Sequence, residues 1–457
     1  MTPSEETPEP EPDPLDSFRQ LVALPRDVFV LSAAMFAFSL GFQMTSRYLP
    51  RYMAVLGASN VVIGLYGTAG NIIGAVYPYP GGAFSDRVGS RYALTLFGAL
   101  STLGFLVWLV APLVGTVDVV GLVLEPWVWI FVGLLLAQAW KSFGLGATFA
   151  VVKQSVPDAR LARGFASTET FRRTAFLLGP LAAAGLLFFA GGEILPGFLY
   201  VLAVAVAFGA LATATQHFLY DASEDTIGSS FGGVRQVLRD LRNLPPELRP
   251  LLVGDTLVRF ANGMVYVFFV IVVTEFLAVD VTLFGLYLSP DVFFGVLLAI
   301  EMVVALLSMY PVARLAERLG LKPVVAVGFA VYAVFPLLLI SAPPDPLIVA
   351  ALFAFSGLRF AGLPAHKALI VGPAKRDAGG RVTGSYYLIR NLVVIPSAAL
   401  GGWLYDSERL VVPLDVFGLD PVSVAAGPES AFVLAAAVGV AGTGYFLVFG
   451  REFDAYA

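Results

Sequence analysis

Six cations and three acids interrupt the long apolar runs of this chain: Lys141, Arg172, Arg173, Arg259, Arg359 and Arg390 against Asp255, Asp291 and Glu301. An ionisable group at mid-bilayer costs on the order of 3 kcal/mol on insertion scales, so it faces protein or water and often has a function. Cations placed there attract an anion. Carboxylates placed there can carry a proton, because apolar surroundings favour the neutral acid and a nearby cation favours the ionised one. Glu301 and Asp291 lead as proton carriers on this reading, followed by Asp255, with Glu169 a further candidate. Asp255 and Arg259 are four residues apart and share a helical face, so an internal ion pair is the simplest account of both.

Gln43, Arg47, Gln138 and Asn262 add polar groups to other apolar runs. His366, beside Lys367 near the end of its run, reads as a surface residue. Phe260, Tyr266 and Trp140 are candidates for stacking on a ligand, with packing as their ordinary use. There is no Walker-type phosphate loop, and no motif of an enzyme stands out. With no cysteine and only two histidines, neither a disulfide nor a transition-metal site is expected, and no cofactor is called for.

The elements that must position these groups follow from composition. The 457 residues are 58% hydrophobic and 13% charged, with mean hydropathy +0.82. A soluble domain carries about 25% charged residues, and a bilayer-spanning helix needs roughly 20 mostly apolar ones. Twelve such runs fit: 28–51, 60–82, 92–112, 126–151, 165–190 and 196–219, then 250–277, 284–310, 323–341, 346–369, 382–404 and 430–449. The runs are continuous rather than alternating, which argues against a β-barrel. An all-α membrane protein is expected, with a disordered acidic tail over 1–26, one half over 27–220, a linker over 221–249, a second half over 250–450 and a short tail over 451–457. The tail carries six acids before residue 19 and no base. Within the linker, Val234, Leu238 and Leu241 recur at helical spacing among Arg235, Arg239 and Arg242, as in a basic helix lying on a membrane surface.

The chain is built twice. The segment Gly82-x-x-x-Asp86-Arg87-x-Gly89-x-Arg91 returns as Ala313-x-x-x-Glu317-Arg318-x-Gly320-x-Lys322, at an offset of 231 (317 − 86). At an offset of 218 (359 − 141), Lys141 falls on Arg359, Gly144 on Gly362, Ala147 on Ala365, Arg163 on Arg381, Ala166 on Gly384 and Arg172 on Arg390. Gly64-Leu-Tyr66 also matches Gly285-Leu-Tyr287, near the starts of spans two and eight. The even-numbered connections hold most of the arginines and lysines, which by the positive-inside rule makes them, the linker and both termini cytoplasmic. Net charge is −5, and five lysines against 23 arginines with an acidic tail suit a prokaryote, a halophilic archaeon among them.

These features resemble the major facilitator superfamily, over about residues 27–450. Its hallmark turn between spans two and three corresponds to Gly82, Asp86, Arg87, Gly89 and Arg91, with one extra residue before Arg91, and the degenerate copy at Glu317, Arg318 and Gly320 fits as well. The resemblance implies twelve transmembrane helices in two pseudo-symmetric six-helix halves that rock about a central site lined by spans one, four, seven and ten. It implies a cytoplasmic charge network at the turns that stabilises the outward-open state, with Asp86 meeting the start of span eleven. In span four, Gly144-x-Gly146-Ala147 is present, but Trp140 stands where the family often has arginine. In span five, Gly179-Pro180 keeps the core of a pattern found in drug:proton antiporters, with alanines replacing its outer glycines.

The expectation is a secondary active transporter of a small organic solute, coupled to protons and working in export, in the plasma membrane. It needs no nucleic acid and no second subunit, so a monomer suffices. Gln43, Arg47, Gln138, Lys141, Arg259, Asn262 and Arg359 are the expected cavity residues. Uptake or exchange of an organic anion is the second reading, on the excess of intramembrane cations. A non-transporting sensor or a channel is the rival of another class, against which the duplicated turn argues.

Overall fold

The computed structural model describes residues 26–77, 84, 88–119, 121–141, 161–221, 244–372, 379–412 and 422–452. In the first half, α1 (Arg26–Thr45) and α2 (Leu49–Val55) form one span bent by 43°. Pro50 lacks the N–H that would bond Ser46, which breaks the helix there. Then follow α3 (Asn60–Val76), α4 (Ser90–Val114), α5 (Val128–Ala139), α6 (Leu161–Phe189) and α7 (Ile194–Leu219). In the second half, α8 (Arg249–Val265) runs on irregularly to Phe276. After it come α9 (Pro290–Leu319), α10 (Leu321–Ile340), α11 (Pro346–Gly357), α12 (Leu363–Val371), α13 (Gly379–Val394), α14 (Ser397–Asp406) and α15 (Pro428–Phe449).

Among the described residues nine helices are long and apolar enough to cross a membrane, ten if the bent first pair is one span. The shorter apolar helices α3 and α5 stand where spans two and four were expected. The protein is a nearly all-helical, multi-pass membrane protein. Connections after odd-numbered spans lie at one end of the bundle, the odd-loop end, and carry three antiparallel hairpins. These are β1 (Val117–Val119) with β2 (Leu122–Leu124), β3 (Val281–Leu283) with β4 (Leu286–Leu288), and β5 (Arg409–Val412) with β6 (Val422–Ala425).

One expectation is corrected here. Span eight starts at Pro290 rather than 284, because the Ser289 side chain accepts the Val292 amide and Pro290 sets the first turn. Gly285-Leu-Tyr287 therefore lies in the β3–β4 hairpin, whereas Gly64-Leu-Tyr66 is helical, so that match is not a structural repeat. The true counterpart of Ser289 is Ser59, whose side chain accepts the Val62 amide at the start of α3. The duplicated turn repeats in backbone conformation: Gly89 has φ +86° and Gly320 has φ +89°, each directly ahead of a helix. Such angles are open to glycine and costly for other residues.

The halves meet along two seams, α3 on α14 and α6 on α9. Lipid offers no hydrophobic gain for helix association, so close backbone approach through small residues holds such seams. A Cβ on Gly64 would fall 3.0 Å from the Gly402 Cα, and one on Gly295 only 2.7 Å from the Ala184 Cβ. At the odd-loop end the seams are fastened by polar contacts. Arg51 Nε donates to Asp291 (3.2 Å) and its Nη1 to Glu275; Tyr48 donates to the Asp291 carbonyl (3.0 Å). Asp406 accepts from Asn60 Nδ2 (2.8 Å) and the Val61 amide (3.1 Å), and Ser289 donates to Gly192 O (2.7 Å).

Candidate functional site

Among the described residues five spans leave α geometry at mid-length, and four of the breaks carry a polar or aromatic side chain, the fifth being Ile395-Pro396 between α13 and α14. Arg47 sits in the turn between α1 and α2, Lys141 in a π turn that follows α5, Tyr266 at the start of a 3-10 turn after α8, and Arg359 in a 3-10 turn between α11 and α12. Pro50 and Pro364 account for the breaks at Arg47 and Arg359, since each removes a backbone donor. Broken helices are tolerated at membrane depth where they line a cavity or are buried in protein.

Arg47, Lys141 and Tyr266 border a cavity of about 380 Å³ between the halves. Gln43 and Ser46 also line it, with Arg172, Arg173 and Phe176 on α6 and Glu301, Met302 and Met309 on α9. The lining runs from the α1–α2 break toward the even-loop end. Gln138 borders an adjoining space of about 230 Å³ that shares Arg47, Lys141 and Tyr266 with the first. The cavity is electropositive: four cations line it against one carboxylate among the described residues. Lys141 is exposed to this space, stands 5.9 Å from the Phe42 ring centroid, and has no carboxylate partner among the described residues.

Glu301, 2% exposed, ties the halves at mid-depth. Its Oε2 lies 3.4 Å from Arg47 Nη2, and its Oε1 accepts from Ser356 Oγ (3.2 Å) and from Arg359. Arg47 in turn stacks on Tyr266 at 4.3 Å. Arg359, expected at the cavity surface with Lys141, instead lies behind Glu301, 2% exposed and set among Tyr332, Phe335 and Phe360. Its ion pair draws it inward. The two cations related by the repeat are thus differently placed, one lining the cavity and one neutralised.

Asp255 is fully buried and accepts from three side chains, Arg259 Nε (3.3 Å), Tyr386 Oη (3.1 Å) and Arg390 Nη1 (3.1 Å), while His366 Nε2 stands 3.2 Å from its Oδ2. Arg259 also donates to Tyr332 (3.0 Å), so one carboxylate knits α8, α10, α12 and α13. The pair expected from i,i+4 spacing is present. His366 is a correction: it is 4% exposed, because α12 turns it inward against Phe329 and Tyr386. Asn262 and Arg259 lie on a side chamber beyond Tyr266. Asp291 belongs to the odd-loop fastening with Arg51 and Glu275, a link across 240 positions that no local pattern announces.

Of the duplicated turns, Gly82, Asp86 and Arg87 lie outside the described residues, as do the acidic tail and the linker helix. Arg91 Nε donates to His217 O (2.7 Å) at the end of α7. Glu317 and Arg318 are exposed in the last turn of α9, and the Lys322 amide behind Gly320 donates to Glu452 (2.7 Å). Trp140 turns away from the cavity and stacks on Phe38, with ring centroids 4.5 Å apart. In α6, Gly179 lets the helix press on Gln43 and Met44, and the Pro180 carbonyl faces Gly295 of α9. Close packing accounts for that pair.

Residues 1–125 and 251–455 match the family described as the Major Facilitator Superfamily. The chain belongs to the major facilitator superfamily. An uncharacterized MFS-type transporter of Methanocaldococcus jannaschii is 21% identical over 393 residues, which is 84% of this chain and 89% of that protein. The fold also superposes on the nucleoside transporter NupG with a TM-score of 0.70, 12% identity, and cover of 94% of this chain and all of that one. A POT family transporter in complex with 5-aminolevulinic acid gives 0.66 at 13% identity, covering 94% and 99%. Among superfamily members the cavity between the halves is where a small solute binds, and this protein is a secondary transporter rather than an enzyme.

Proposed function

We propose that the protein carries a small organic anion across the membrane by alternating access, with Glu301 as the group through which protons act on the cycle. The single observation that supports this reading is Lys141. It lines the central cavity without a carboxylate partner among the described residues, in a wall that also holds Arg47, Arg172 and Arg173. Removed from bulk water, an anion about 4 Å from one ammonium gains roughly 4 kcal/mol at an effective dielectric of ~20. A neutral or cationic solute would meet the same wall at a cost.

Glu301 is suited to proton coupling because it alone among the described residues bridges Arg47 in the first half to Arg359 in the second. Protonation removes one charge from a three-membered ion cluster and loosens the link between the halves. Arg47 then turns its full charge to the cavity. Asp255 and Asp291 are second to it in this role, since each serves a local fastening.

The odd-loop end is fastened and the cavity lining extends toward the other end, which corresponds to an inward-facing form if the even-loop end is cytoplasmic. The excess of arginine and lysine there supports that orientation. On this reading both termini are cytoplasmic, the membrane is the plasma membrane of a prokaryote, and Asp86, Arg87, Glu317 and Arg318 form the cytoplasmic gate. A secondary transporter runs down the sum of its gradients. Export in exchange for protons is the direction favoured by an inward proton gradient.

The test is flux in proteoliposomes with an imposed pH gradient, using labelled monocarboxylates, dicarboxylates and lipophilic cations as separate panels. Saturable anion uptake that accelerates with an opposed proton gradient is expected. Transport of the cations alone would refute the anion reading, and anion flux indifferent to pH would remove Glu301 from the coupling.

A further inference from the structure

Beyond Tyr266 lies a side chamber of about 230 Å³, walled by Gly67 and Asn71 on α3, Arg259 and Asn262 on α8, and Arg390 and Asn391 on α13. It adjoins the space that reaches Lys141, and Tyr266 borders both this chamber and the central cavity. Its charges are already spent. Arg259 is committed to Asp255 and Tyr332, and Arg390 gives Nη1 to Asp255 and Nε and Nη2 to Asn391 Oδ1. Two neutral groups are not spent. The Asn262 Oδ1 is buried with no hydrogen-bond partner, and the Asn71 amide makes no hydrogen bond among the described residues. A buried acceptor without a donor is costly unless a ligand or water supplies one.

The division of labour between the two spaces is therefore chemical. The central cavity offers an uncommitted positive charge, and the side chamber offers neutral amides on facing helices. We infer that the chamber is a second subsite, which takes an uncharged hydrogen-bonding head such as a carboxamide while the anionic end lies in the central cavity beside Lys141. The donor of that head meets Asn262 Oδ1 and its carbonyl accepts from Asn71 Nδ2. Because α3 belongs to one half and α8 to the other, a head held by both residues is felt by both halves. This inference rests on the anion reading and narrows it to anions with a distal neutral polar group. At roughly 30 Å³ per water, the chamber holds the volume of several waters, enough for a carboxamide and the methylenes next to it.

The experiment compares ω-monoamides of dicarboxylic acids of four to seven carbons with alkyl isosteres in which an isopropyl group replaces the carboxamide. Binding is followed by thermal shift and by competition. Native protein should prefer the monoamide about tenfold at the best chain length, the worth of one or two net hydrogen bonds. Asn262→Leu and, independently, Asn71→Leu should bring that ratio close to one, whereas Lys141→Gln should weaken both probes alike. The chain has no native cysteine, so Val394→Cys, on a residue that lines the same chamber and makes none of the proposed contacts, supplies a second readout: monoamide, and not isostere, should slow its modification by a small thiol reagent. Equal binding of each pair to native protein, or a preference that survives both leucine variants, overturns the subsite. Failure of every carboxylate in both series to bind overturns the anion reading itself.

Discussion

Arg47 and Glu301 lie 3.4 Å apart at mid-depth although 254 positions separate them, and they belong to opposite halves of the molecule. Arg359 and Ser356 hold the same carboxylate from the second half. The mid-depth polar contact between the halves thus depends on the charge of one side chain.

Glu301→Gln should uncouple flux from the pH gradient while leaving exchange of solute for solute measurable. The variant also leaves Arg359 buried without its counter-charge, so the thermal midpoint should fall, in line with a loss of about 3 kcal/mol for a broken buried pair. Unaltered gradient-driven flux in proteoliposomes would count against the role of this residue.

For Lys141→Gln, at least a tenfold weakening of anion binding is expected, equivalent to about 1.4 kcal/mol. Lys141→Arg should retain most of the affinity. The residue faces open space, so the melting temperature of the glutamine variant should stay near the native value. Titration calorimetry together with thermal unfolding separates the two quantities.

Asp255→Asn should be among the most destabilising single changes in the second half. It leaves Arg259 and Arg390 facing each other without the carboxylate that both contact, at a cost of about 4 kcal/mol. Adding Arg390→Gln should recover part of the loss, since the two residues are in direct contact and their effects are not additive. A double variant no more stable than the single one would show that the network holds by packing rather than charge.

Arg51→Ala should favour the form open at the odd-loop end. The Arg51 pairs are partly exposed, and a latch worth about 1 kcal/mol shifts the ratio of the two forms about fivefold. Ser46→Cys lines the cavity, so its labelling by an impermeant reagent from the odd-loop face should quicken accordingly. An unchanged labelling rate would mean that the seams, not Arg51, keep that end shut.

Gly89→Ala and Gly320→Ala should each cost about 1–2 kcal/mol, because both glycines hold the same left-handed backbone. Comparable losses in thermal unfolding would mark the two turns as copies in energy as well as in sequence.

What could be read from sequence divides by range. The spans, the Asp255–Arg259 pair and the twofold plan follow from local periodicity or a constant offset. The pair is present as expected, and among the described residues nine spans, ten with the bent first pair, are long and apolar enough to cross a membrane, the eighth starting six residues late (290 − 284). Arg51 with Asp291, and Arg47 with Glu301, depend on how the halves dock, which no spacing encodes. His366 looked superficial because its neighbour Lys367 is charged, yet a helical turn places adjacent residues on different faces. The Gly285 match failed because a cap serine and a proline outrank a three-residue likeness in setting where a helix begins. Of the five helix breaks among the described residues, Pro50, Pro364 and Pro396 announce three; those at Lys141 and Tyr266 leave no trace in residue type.

Those breaks have a mechanical consequence. A span interrupted at half its length is two short rods and a joint, so the lower and upper parts of the pathway need not tilt together. Amide exchange measured along the chain should show this as paired protected stretches flanking a fast-exchanging notch at each joint. The moving parts of this protein are then smaller than its two halves, and strain delivered at a binding residue arrives directly at a hinge.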